Sequence, residues 1–252
     1  MFEPTFDFEF NMLGIYNYKQ TGKLSYYFEF LDANLQKEGD LIEAGVFRGY
    51  TLLAVALFLK EKKSDKKVYG YDSFKGFPPI YHENDSMEKF EDLYSESKIS
   101  EEHYKQIQTS KKIRQLTIEN NKIETKSISS SSDFKDTSKI LLENKIDFLG
   151  LNNIILVDGD FTETMEKQQE IRPKSILGGI IDCDLYESYK IALNFIWPKL
   201  AKTNLLFLDE YYSLKFPGAK VAVDEFIKNK SALLIKNHEN KEDFERWYLK
   251  KA

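Results

Sequence analysis

Two apolar runs of strand length, Ser175 to Ile181 and Leu205 to Leu208, each end abruptly on acids, Asp182 after the first and Asp209 with Glu210 after the second. Strands that read as continuous apolar runs are buried on both faces, the condition of a parallel sheet covered by helices. Open sheets of this kind bind ligands beyond the carboxyl ends of their strands. The acids therefore stand where such a fold places its site.

The same pattern extends along the chain. Leu41 to Glu43 reads as a first strand, Tyr50 to Lys62 as a helix with Leu52, Val55, Ala56 and Leu59 on one face, and Val68 to Tyr71 as a second strand. This is a βαβ unit, with parallel strands and a right-handed crossover. A further strand is expected at Asn153 to Val157, with helices at Tyr186 to Leu200 and from Pro217 to about Lys228, proline being favoured in a first turn. Leu233 to Lys236 and Phe244 to Lys250 alternate charge with bulk and predict a terminal hairpin. The expected fold class is α/β, a doubly wound sheet, mostly parallel with an antiparallel C-terminal edge hairpin.

Two stretches interrupt the alternation. Residues 1–39 are dense in Phe and Tyr, which predicts a helical layer on the core or, alternatively, a lid or dimer interface. Residues from about 80 to 150 are polar and helical, include a helix from Met87 to Lys98 and carry the run Ser127 to Ser132, with Ser132 and Asp133 expected to cap a helix over residues 134–144. So long a stretch between core strands is an insertion or a cap. No linker divides the chain, which predicts one domain over residues 40–252 behind the N-terminal segment.

With 41 acidic and 36 basic residues the net charge is −5, and the lysines are scattered, which argues against a nucleic-acid polymer as partner. Acids near Met1 where a signal peptide carries positive charge, and a longest apolar stretch of only Leu52 to Leu59, argue against export and a membrane. The lone Cys183 suits a reducing compartment, so the expected location is the cytoplasm.

Glu43-Ala44-Gly45-Val46-Phe47-Arg48-Gly49 follows the first strand, with glycines that permit close backbone approach to a ligand. Asp72 ends the second strand, where acids take the two hydroxyls of a ribose, pointing to an adenosine-type ligand. Asp160, after Gly159, is placed to accept from an exocyclic amine, and Phe161 to line the base. At the other end of the site, Asp182, Asp209 and Glu210 form an oxygen-only set that favours Mg2+, with Mn2+ and Ca2+ as alternatives. Three acids together raise one another's pKa unless a cation neutralises them. Cys183 is expected to face away, and Asp184 to cap the helix starting near Tyr186.

These residues together resemble the TylF-type, or macrocin O-methyltransferase, family, whose E-x-G-V-x-R-G loop stands as Glu43 to Gly49, whose Y-D-S-F-x-G-x-P motif stands as Tyr71 to Pro78, and whose D-x-D-L-Y-E-S motif stands as Asp182 to Ser188. Trp197-Pro198-Lys199-Leu200, Asp209-Glu210-Tyr211 and Ala222 to Phe226 are similar to later family motifs; Glu210 replaces an Asp, Thr203-Asn204 a Gly pair, and Asp160 a Trp. The resemblance spans about residues 40 to 228. It implies a class I methyltransferase fold and S-adenosylmethionine as cofactor, held by Glu43 to Gly49 and by Asp72, Ser73 and Phe74. It also implies Asp182, Asp209 and Glu210 as metal ligands, with Asp182 as catalytic base.

The expected function is metal-dependent transfer of a methyl group from S-adenosylmethionine to a hydroxyl of a sugar, nucleotide sugar or glycan precursor. His82 is a candidate assistant to Asp182, and association into a homo-oligomer through the aromatic N-terminal segment is a further expectation. The competing readings are a nucleotide-dependent oxidoreductase and a methyltransferase-like subunit that binds the nucleoside without chemistry.

Overall fold

Alternation of side chains along each strand divides the interior into two cores. In the computed structural model, which describes residues 7–20, 22–119, 122–167, 171–237 and 245–251, Leu41, Leu205 and Phe207 face one apolar cluster, and Ile42, Ala44, Leu206 and Leu208 face the other. A sheet with both faces buried must carry helices on both.

Strands β1 (Asp40–Ala44), β2 (Val68–Asp72), β3 (Ile154–Asp158), β4 (Ile176–Ile181), β5 (Leu200–Leu208), β6 (Ala232–Asn237) and β7 (Arg246–Lys251) form one sheet in the order β3-β2-β1-β4-β5-β7-β6. The first five run parallel and β7 runs antiparallel to both of its neighbours. The expected class is thus observed, including the C-terminal hairpin. The order reverses between β1 and β4, so the carboxyl ends of those strands flank the crevice.

One face is covered by α1 (Asp7–Leu13), α2 (Ser25–Asn34) and α3 (Tyr50–Glu61), through Phe10, Tyr27, Phe28, Leu31 and the buried run Thr51 to Leu59. Residues 7–13 and 25–34 of the aromatic N-terminal stretch are thus helical and pack on this face, while residues 1–6 lie outside the described residues. Residues after β2 form α4 (Lys89–Ser95), α5 (Glu101–Gln115) and α6 (Thr125–Ile128), which enclose a small third core of Met87, Phe90, Leu93, Ile99, Ile107, Ile123, Ile128 and Phe216. Then α7 (Lys139–Phe148) returns to the first face with Leu142. Its cap is Ser138, whose hydroxyl accepts from Leu141 N–H, and not Ser132-Asp133 as expected.

On the second face lie α8 (Tyr186–Ile196) and α9 (Pro217–Ile227). The helix expected to reach Leu200 stops at Ile196, before Pro198, whose ring and missing N–H cannot continue it. Leu200 already pairs with Ile176 in the sheet, so β5 begins five residues before the apolar run. Among the described residues no helix is long and apolar enough to cross a membrane.

Candidate active site

A cavity of about 1000 Å³ opens at the carboxyl ends of β1, β2, β4 and β5. Its floor is the loop after β1. Gly45 has φ +91°, and a Cβ there would lie 2.0 Å from the Asp182 carbonyl oxygen, so only glycine lets the β1 and β4 loops meet. Asp182 N–H donates to Ala44 O at 2.8 Å across the same contact.

Asp72 organises that loop. Its Oδ2 accepts from the N–H groups of Val46 (2.7 Å) and Phe47 (2.8 Å), and its Oδ1 from Phe74 N–H at 2.6 Å. Phe47 and Phe74 both hold positive φ, of 51° and 50°, a conformation that costs free energy in non-glycine residues and that these hydrogen bonds help retain. A carboxylate oxygen can accept more than one hydrogen bond, so the Asp72 oxygens keep acceptor capacity toward the cavity they line.

Beyond β4 and β5 the chain gathers acids. Oxygens of Asp182, Asp184 and Glu210 all lie within 4.8 Å of one another. Glu210 is placed by Tyr189 of α8, whose hydroxyl accepts from Glu210 N–H at 3.0 Å and donates to Ile181 O at 2.9 Å, tying the ends of both strands together. Asp184, buried and at φ 60°, turns inward to the trio. It does not cap α8: Tyr186 N–H donates instead to Asp85 Oδ1 at 2.8 Å, from the segment before α4. Cys183 lines the cavity as well, because β4 has ended at Ile181 and strand alternation no longer governs its direction.

Asp209 is differently engaged. Its carboxylate lies 3.0 Å from Lys23 Nζ and 3.5 Å from Arg246 Nη1, and Arg246 also donates to its carbonyl oxygen at 2.7 Å. Lys23 lies 3.8 Å from Asp182 as well. Burial raises every carboxyl here, but Arg246 and Lys23 outweigh it at Asp209 and hold that group below the usual range. Asp182 is pushed up to about 8 by burial and then by the Asp209 charge, with Lys23 opposing. Asp184 is raised by burial and by Glu210, Glu210 by burial and Asp209, and Glu43 by burial and Asp182.

Of the residues singled out from the sequence, Glu43, Gly45, Val46, Phe47, Asp72, Ser73, Asp160, Phe161, Asp182, Asp209 and Glu210 line this one cavity. Ala44, Arg48, Gly49, Phe74 and Gly159 do not. Ala44 is fully buried in the second core. Arg48 reaches outward to Asp136, with its Nε on the Asp136 carbonyl oxygen at 2.8 Å, and so pins the insertion to the β1 loop. Asp160 Oδ1 accepts from the N–H (2.8 Å) and hydroxyl (2.7 Å) of Thr162, closing the turn after β3. His82 stacks on Tyr186 at 4.3 Å and accepts from Asn84 N–H, outside the cavity lining. The residues that sequence reasoning missed are Lys23, Tyr16 and Arg246, none of which sits in a local pattern that announces chemistry, while Asp184, inside the D-x-D-L-Y-E-S motif, reads as a cap and stands in the acid trio instead.

An open sheet ordered β3-β2-β1-β4-β5-β7-β6, with its cavity between the β1 and β4 loops, is the class I methyltransferase architecture. Residues 31–124 match the family described as Macrocin-O-methyltransferase (TylF). That segment holds β1, α3, β2 and the Asp72 loop. Among solved structures, the O-methyltransferase NovP is 20% identical, with a TM-score of 0.61 over 89% of this chain and 76% of its own. CalS11, described as a calicheamicin methyltransferase, is 19% identical, with a TM-score of 0.58 over 97% of this chain and 80% of its own. The apo form of CalS11, described as a TDP-rhamnose 3'-O-methyltransferase, is 19% identical with a TM-score of 0.50 over 96% and 79%. No curated protein sequence matches the chain.

Proposed function

We propose that this protein transfers the methyl group of S-adenosylmethionine to a hydroxyl of a sugar or nucleotide sugar, with a divalent cation held by Asp182, Asp184 and Glu210. The observation that carries the reading is the trio itself: three carboxylates within 4.8 Å, with Glu210 Oε2 buried and accepting no hydrogen bond among the described residues. An acceptor oxygen left unmade in a buried site is costly, and carboxylate oxygens suit a hard cation such as Mg2+. Asp209 contributes to this end of the site through Lys23 and Arg246.

When bound, a divalent cation supplies positive charge that makes a nearby hydroxyl more acidic and lets the acids ionise together. The chain's own residues do the positioning. Asp182, at the tip of β4 and bonded through its backbone to the β1 loop, stands where the acceptor hydroxyl meets the methyl donor, and takes the hydroxyl proton. The Glu43 to Phe47 loop and Asp72 hold the donor's ribose and amino-acid end, while Phe161 covers its base. Holding acceptor and donor in line supplies much of the rate gain. The insertion, with Tyr81, Phe134 and Ser129 to Ser131 in the cavity wall, surrounds the acceptor. The sugar acceptor is supported by the activity described for CalS11, and the buried free Cys183 suits a reducing cytoplasm.

Incubation with S-adenosylmethionine and a panel of nucleotide sugars, read by mass spectrometry, tests this. A gain of one methyl that requires Mg2+ or Mn2+ and disappears in Asp182→Asn is expected. Transfer that persists unchanged with a chelator would refute the metal assignment, and binding of NAD in preference to S-adenosylhomocysteine would refute the methyltransferase reading.

A further inference from the structure

Two positive side chains already occupy the acid cluster, and they are held in different ways. Arg246 belongs to β7, is fixed by the sheet and is almost fully buried. Lys23 belongs to the turn just before α2, and its ammonium reaches across to oxygens of Asp209 at 3.0 and 3.1 Å and of Asp182 at 3.8 Å. It crosses the Tyr16 ring, 5.0 Å from the centroid, and both side chains line the cavity.

Five carboxylates, those of Glu43, Asp182, Asp184, Asp209 and Glu210, meet at this end of the cavity, and Lys23 and Arg246 supply two positive charges. With all five ionised, that count leaves an excess of negative charge for a divalent ion to neutralise. A lysine is a compact point charge on a flexible stem, whereas an arginine is a rigid fork. Of the two, Lys23 is the one built to leave. Asp182 cannot serve both cations well, because a divalent ion beside the trio would repel the Lys23 ammonium, which lies 3.8 Å from Asp182 Oδ2 in the same buried site.

We propose that Lys23 is a resident counter-ion that the divalent ion displaces from Asp182 and Asp209, so that loading of the site releases the turn at residues 22–24 from the cavity. This rests on the metal reading given above. It makes Lys23 a positioning residue: it keeps the acids together in the empty site and gives up its place on loading.

The test is a titration with Mn2+ alone, followed by electron paramagnetic resonance, on the full chain and on Lys23→Met, Lys23→Gln and Asp182→Asn. Removing the competing charge should tighten Mn2+ binding at least tenfold in Lys23→Met and in Lys23→Gln, the latter retaining a hydrogen-bond donor toward Asp209 should the methionine variant not fold. Hydrogen exchange at residues 14–20 and 22–24 of the unaltered protein should accelerate when Mn2+ is added. Equal or weaker Mn2+ binding in both Lys23 variants, or unchanged exchange, overturns the displacement and leaves the metal reading standing. Absence of Mn2+ binding in every variant overturns both.

Discussion

His103 is the most direct test of how the insertion is held to the site. It sits in the first turn of α5, is only 4% exposed, packs tilted against the Tyr212 ring at 4.0 Å, and donates from Nε2 to Ser213 O at 3.1 Å, three residues beyond Glu210. Burial pushes its pKa down to about 4 from an ordinary 6.5, the Ser213 carbonyl opposing only in part. A histidine depressed in the folded state stabilises the fold fully above pH 6.5, and that contribution is lost as pH falls from 6.5 toward 4, because the unfolded chain takes the proton first. At about 1.36 kcal/mol per pH unit the loss is ~2 kcal/mol at pH 5 and approaches ~3 kcal/mol below pH 4. Asp85, pushed up to about 6 by burial, acts in the opposite sense: it gains stability as pH falls from 6 toward 3.8. The measurement must therefore be a difference. Urea unfolding of the protein and of His103→Gln, which retains an amide donor without a titrating group, isolates the histidine. Fluorescence of Trp247, 6.1 Å from Tyr212, reports the same contact. The stability advantage of the unaltered protein should shrink by ~2 kcal/mol between pH 7.5 and 5. Parallel curves for the two proteins across that range would refute the reasoning.

Other consequences are simpler to read. Asp184→Asn removes a carboxyl whose ionised form is disfavoured by burial and Glu210, and at pH 7 should raise the stability of the metal-free protein by ~1–2 kcal/mol while abolishing Mn2+ binding; a lower melting temperature would contradict it. Gly45→Ala should cost ~2 kcal/mol or more and eliminate S-adenosylhomocysteine binding by calorimetry, because the new Cβ meets the Asp182 carbonyl at positive φ. Tyr189→Phe leaves the buried Glu210 N–H without its acceptor and should cost ~1–3 kcal/mol in urea unfolding. Arg48→Ala should loosen residues 134–137, visible as faster hydrogen exchange there, while changing donor affinity little, since Arg48 faces Asp136 and not the cavity.

What the sequence discloses here is what local order encodes. The strand-end acids Asp182, Asp209 and Glu210, the Gly45 loop and Asp72 each announce themselves within a window of a few residues, and the structure brings all of them to one cavity. Asp184 reads from the sequence as the cap of α8, but the acid that accepts from the first helical N–H is Asp85, 101 positions before Tyr186, and no local window contains both. Lys23 and Arg246 are hidden for the same reason. Neither stands in a pattern that marks a site, and only the packing of α2 and the insertion of β7 beside β5 bring them to Asp209. The boundary between α8 and β5 departs from the local pattern because Trp197-Pro198 ends the helix early and the tertiary pairing of Leu200 with Ile176 extends the strand into polar sequence.

The placement of β7 has a bearing on how the molecule is made. It fills the slot between β5 and β6 although it is synthesised after both. While a ribosome is still translating the preceding residues, β5 presents a bare hydrogen-bonding edge and Asp209 lacks the guanidinium that holds it ionised. A nascent chain stalled before Arg246 would thus expose adhesive backbone beside an unbalanced pocket, the kind of intermediate that chaperones retain.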